Sequence, residues 1–225
     1  MCFSATASFT ASAILGGLGV VSLRAASGPR EIPFAAIPFM FALQQFSEGI
    51  VWVALGHDAP HLGALAVQVY AFFAFVFWPA YVPWTTWLVE PGGPRRRLLM
   101  GTVVVGTGVA AWLMAALLLH PVVALPARHH LEYVGAPFLG AGTTALYLLA
   151  STASLLLSSR PGIRTFGVLV LASFALAYGF YATWFISVWC YFSGIVSVAV
   201  CLELMAKPRA MPGARGAGGF RAGAG

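Results

Sequence analysis

The chain has 225 residues, of which 60% are hydrophobic and 8% charged, with 12 Lys+Arg against 6 Asp+Glu for a formal charge of +6. Soluble domains carry about 25% charged residues, so this composition excludes a water-soluble globule and leaves an integral membrane protein. A mean hydropathy of +0.88 agrees.

A helix crosses the roughly 30 Å hydrocarbon core with about 20 apolar residues. Seven segments qualify, at 4–23, 33–55, 63–88, 98–119, 137–158, 164–185 and 188–206. Pro and Gly clusters such as Gly28-Pro29 and Gly92-Gly93-Pro94 separate them. The last break, at Phe185-Ile186-Ser187, is inferred from length alone. The first segment has no basic residue before it, and Arg24 and Arg30 follow it. That order describes a signal anchor inserted with its N-terminus outside rather than a cleavable signal peptide.

The second segment carries the one acid well inside a span, Glu48, about 10 Å from the outer end at 1.5 Å per residue. Gln44, Glu48 and Trp52 repeat at four-residue steps and so share a helix face, with Gln45 beside them. Ionisable groups in lipid are expensive and default to functional hypotheses. Glu48 is either protonated packing glue or a ligand, proton or metal group. Pro33 and Pro38 kink this segment and leave carbonyls for a neighbour to satisfy. The third segment enters from outside with Gln68 and Tyr70, and the fourth follows Arg95, Arg96 and Arg97.

The loop from His120 to Pro137 holds His129, His130 and Glu132, and His57, Asp58 and His61 occupy the previous outer loop. The sixth segment ends outside with Tyr178, Tyr181 and Trp184. The seventh opens on Ser187 and Cys190, which continue through Gly194, Ser197 and Cys201 as a stripe of small side chains suited to close helix packing. The tail 207–225 is a Gly/Ala/Arg segment without apolar periodicity and reads as disordered.

Eleven of the twelve basic residues fall on one side of this arrangement, and Arg128 alone is opposite. By the positive-inside rule the N-terminus is outside and the C-terminus cytoplasmic. The expected fold is therefore an all-α bundle of seven transmembrane helices over 1–206 with a cytoplasmic tail. The net charge is accounted for by topology, and nucleic acid is not an expected partner. Lipid is the main partner, and a small-molecule ligand, a second copy or another membrane protein are the others.

Several chemistries lack their residues. Retinal needs a lysine within a helix, and the sole lysine, Lys207, is at the boundary. A b-type haem needs paired histidines inside helices, and none are there. A Gly-x-Ser-x-Gly element is missing, and the one His-x-x-x-His spacing, His57 to His61, falls in a loop where Pro60 opposes a regular helix. A transition metal would need three or four converging donors, for which Glu48, His129, His130 and Glu132 are the best set. Cys2 and Cys190 both fall at the outer surface, where a disulfide can form.

The opening Met1-Cys2-Phe3-Ser4-Ala5-Thr6-Ala7-Ser8-Phe9, with Gln44-Gln45-Phe46-Ser47-Glu48-Gly49 and Ser187-Val188-Trp189-Cys190-Tyr191, resembles a family of small bacterial multi-span proteins without assigned function. The resemblance adds weight to Cys2, Glu48 and Cys190 as a site, implies a bacterial cytoplasmic membrane and implies no activity. The expected site is an outward-facing pocket of Gln44, Glu48, Trp52, Gln68, Tyr178, Tyr181 and Cys190 that binds or transports a small ligand. The alternatives are a metal-assisted intramembrane enzyme using Glu48 with outer histidines, and an accessory membrane subunit.

Overall fold

The computed structural model describes residues 4–127, 130–135, 141–180 and 185–206. Helix α1, Ala5–Ala25, starts where Ser4 caps it, its hydroxyl accepting from the Ala7 amide at 3.2 Å. A short turn α2, Ile32–Ala35, leads through Ala36 into α3, Ile37–Gly56. Pro38 thus falls in the first turn of α3, where its missing N–H costs nothing. The Pro33 carbonyl, as the sequence suggested, is taken by a neighbour: the Tyr81 hydroxyl donates to it at 2.7 Å.

The next rod runs from Pro60 to Val89 as α4, Pro60–Ala71, a π-helical turn, Phe72–Phe77, and α5, Trp78–Val89. The widened turn precedes Pro79 and Pro83, and its Ala74 carbonyl receives the Tyr147 hydroxyl at 2.6 Å. Pro83 has no N–H to give the Pro79 carbonyl. That carbonyl faces Gly106 of α6, Pro94–Leu119, so closely that a Cβ there would collide with it.

An antiparallel hairpin follows, β1 Val123–Ala127 and β2 His130–Val134, with Ala124 opposite Tyr133 and Pro126 opposite Leu131. The all-helical expectation therefore needs correcting at this loop. Strand alternation explains it: Leu131 is buried and shares a face with Tyr133, while Glu132 points to the other side. The remaining helices are α7, Ala141–Leu157, α8, Pro161–Phe180, α9, Phe185–Val196, and α10, Val198–Met205. Phe185, Ile186 and Ser187 are helical, which corrects the turn expected at those three residues.

Among the described residues five helices are long and apolar enough to cross a membrane: Ala5–Ala25, Pro60–Val89, Pro94–Leu119, Pro161–Phe180 and Val188–Met205. α3 is 20 residues long but carries Gln44, Gln45 and Glu48, and α7 is shorter. α1 packs along α3, with Gly19 against the Phe39 backbone, Gly49 against the Phe9 ring and the Ser12 hydroxyl on the Ala42 carbonyl at 2.8 Å. Gly194 of α9 admits Leu15 and Phe41 in the same way.

The two ends differ. The basic end is knit by side chains: Arg160 pairs with Glu31 at 3.1 Å, and Glu31 also accepts from the Ser27 amide. Glu90, 3% exposed, accepts from the Ser158 hydroxyl at 2.9 Å and the Ser159 amide at 3.1 Å. The opposite end is covered by the hairpin.

Candidate functional site

The 3.6-residue repeat of α3 turns Phe41, Gln44, Gln45, Glu48 and Trp52 inward while Leu43, Phe46 and Val53 face out. Gln44, Gln45 and Glu48 are all 0% exposed. Each is held differently. The Gln44 Oε1 accepts from Trp78 Nε1 at 2.8 Å. The Glu48 Oε1 accepts from the Tyr133 hydroxyl at 3.3 Å, and the Tyr133 ring stacks on Tyr70 with centroids 4.5 Å apart and planes 11° apart. The Cys190 thiol, 4% exposed, is within hydrogen-bond reach of the Gln44 and Tyr70 side chains, with the Glu48 carboxyl group in the same neighbourhood.

Around this core several buried polar atoms have no hydrogen-bond partner among the described residues: Gln44 Nε2, both amide atoms of Gln45, Trp52 Nε1 and Ser8 Oγ. Ser8 sits on α1 at the depth of Gly49, because its neighbour Phe9 packs on that glycine. An orphaned buried polar group costs about 1–3 kcal/mol. Four of these five atoms belong to residues of α3 within four positions of Glu48, and together they form a set of donors and acceptors.

Trp78 also borders a half-open, mainly apolar space together with Phe41, Tyr147, Val170, Trp189 and Cys190. Cys190 connects the two regions.

The sequence-derived set is thus partly assembled. Gln44, Glu48, Trp52 and Cys190 come together. Gln68 serves the hairpin instead, its Nε2 donating to the Val122 carbonyl at 2.8 Å. Tyr178 is 52% exposed and stacked on Phe174. The buried stripe of α8 runs through Phe166, Val170, Ser173 and Ala177, which turns Tyr178 away from the interior. Tyr181, His129 and Cys2 lie outside the described residues, as does the His130 side chain. The proposed metal set is divided, since Glu132 stands on the strand face opposite Tyr133, the residue that reaches Glu48. Among the described residues no three His, Cys, Asp or Glu side chains gather as a metal site.

Two contributors were missed: Tyr133 and Trp78. Tyr133 was legible in the alternation of Leu131-Glu132-Tyr133, and Trp78 in the four-residue steps Trp78, Val82, Thr86, Glu90.

Long apolar helices with buried amides and carboxyl groups between them make this a multi-pass helical membrane protein. The model of a family described as a family of unknown function (DUF6629) matches residues 1–215, and the chain belongs to that family. No curated protein and no solved structure matches it.

Proposed function

We propose that the protein crosses a bacterial cytoplasmic membrane seven times, N-terminus outside, and binds a small polar solute from the outside at Glu48. The observation that carries the reading is the set of unpartnered buried atoms on the helix that bears this carboxyl group and on its neighbour α1. Gln44 Nε2, Gln45 Nε2 and Trp52 Nε1 donate, Gln45 Oε1 accepts, and Ser8 does either. A ligand that fits them has donors and acceptors on a compact frame, as amino acids, small amides and polyols do. The hairpin closes the site from outside through Tyr133, and binding or transport both begin with its displacement.

The test is thermal unfolding of the purified protein in detergent against a panel of amino acids, amides, amines and polyols. At least one class raises the melting temperature of the native protein and fails to raise that of Gln45→Leu and Glu48→Gln. A response retained in both variants places the ligand elsewhere and ends the reading.

A further inference from the structure

The outer site makes no use of the basic end of the bundle. There Arg30 and Glu31 between α1 and α2, Leu88, Glu90 and Pro91 at the end of α5, and Arg160 between α7 and α8 border an open groove of about 440 Å³. The groove sits where the apolar spans Ala5–Ala25 and Pro60–Val89 stop, which is the level of phospholipid headgroups.

One hydrogen-bonded chain joins its walls. Glu90 accepts from the Ser158 hydroxyl at 2.9 Å, the Ser158 Oγ accepts from the Arg160 amide at 3.2 Å, and the Arg160 guanidinium donates to Glu31 at 3.1 Å. Arg160 and Glu31 thereby neutralise each other, and Glu90 and Arg30 are the charges left over. Glu90 is 3% exposed and accepts only from the neutral Ser158 hydroxyl and Ser159 amide, with no cation paired to it among the described residues. A buried carboxylate without a counter-charge is costly. Arg30 is exposed and its guanidinium has no ion-pair partner among the described residues. A lone anion in this groove meets Glu90 as well as Arg30, and a lone cation meets Arg30 as well as Glu90. An ampholyte satisfies both.

We propose that the groove binds a phosphate ester carrying a primary ammonium, the chemistry of an ethanolamine phospholipid headgroup and of free phosphoethanolamine. The guanidinium fork of Arg30 matches two phosphate oxygens, and the ammonium donates to Glu90. A choline headgroup has no N–H to donate, and a glycerol headgroup brings no cation. Leu88 and Pro91 give the lipid form an apolar wall. Basic pockets between helix ends are established places for headgroups. The proposal is independent of the solute reading at Glu48.

The test is thermal unfolding of the full-length protein in detergent with short-chain ethanolamine, choline and glycerol phospholipids and with free phosphoethanolamine. The ethanolamine lipid raises the melting temperature of the native chain and of Glu48→Gln more than the other two lipids do, and the rise is lost in Arg30→Gln and Glu90→Gln. Arg30 is exposed and unpaired, so Arg30→Gln separates loss of the site from loss of folding. An equal rise with all three lipids, a glycerol-lipid rise equal to the ethanolamine one, or a rise kept in Arg30→Gln or in a folded Glu90→Gln overturns the proposal. Free phosphoethanolamine matching the lipid makes a soluble ester the source, a response confined to the lipid makes it the membrane, and no response to either ends the proposal. A rise lost in Glu48→Gln but kept in Arg30→Gln assigns the ligand to the outer site. Failure of the groove leaves the solute panel and its Gln45→Leu variant to decide the outer site separately.

Discussion

Tyr133 joins the hairpin to the membrane interior, and it does so with two separable contacts. Its ring covers Tyr70 and its hydroxyl reaches Glu48 at 3.3 Å. Tyr133→Phe keeps the ring and removes the hydrogen bond, which is expected to lower unfolding free energy by about 1 kcal/mol. Tyr133→Ala loses the stacking as well and costs more. Thermal unfolding in detergent checks both, and equal melting temperatures for Tyr133→Phe and the native chain would detach the hydroxyl from the site. At this scale the sequence was informative wherever polarity was rare. Glu48, Gln44 and Trp52 stood out because a carboxyl group and amides are costly in lipid, and their spacing assigned them to one face. Tyr178 misled because lipid-facing and core-facing sides of a membrane helix are both apolar, so a tyrosine near the end of α8 carries no mark of its direction. Tyr133 went unread because the histidines around it suggested a metal loop.

Elements in this bundle are held together where backbone meets backbone. The rod Pro60–Val89 contains two prolines that would break a soluble helix, and the structure accommodates them with a π-helical turn before Pro79 and a bare glycine opposite it. Gly106→Ala therefore drives a methyl group into the Pro79 carbonyl and is expected to cost about 1–3 kcal/mol by overpacking. Gly108→Ala, with nothing within 4 Å of the added carbon, is neutral or slightly stabilising because alanine is the better helix former. Denaturation of the two variants side by side decides, and a similar cost for both would show that the α5–α6 approach is not tight. Helix positions were legible because Pro and Gly punctuate long apolar runs. The π turn was not: a one-residue widening leaves composition untouched. The hairpin escaped for a related reason, since five-residue strands are short beside the helices and the loop held a Pro in each flank, at Pro121 and Pro137.

At the scale of the molecule the charges sort by end. Arg30, Glu31, Glu90 and Arg160 border one groove, and the positive-inside rule proposes the cytoplasm as the side it faces. Orientation is checked by a membrane-impermeant thiol reagent on intact cells, using a chain whose own cysteines are replaced by alanine. His57→Cys reacts at once and Arg97→Cys only after permeabilisation; the reverse pattern inverts the topology. The uneven fastening of the two ends has a mechanical meaning. Glu31–Arg160 and Glu90 with Ser158 and Ser159 bolt three separate connections into a stiff base, whereas the other end is latched through Gln68 on Val122 and Tyr133 on Glu48. A body clamped at its foot and latched at its rim flexes like a vase with a hinged lid. The rim is therefore the weaker end: the hairpin rests on two latches, and both can part while the charge-knit foot stays closed.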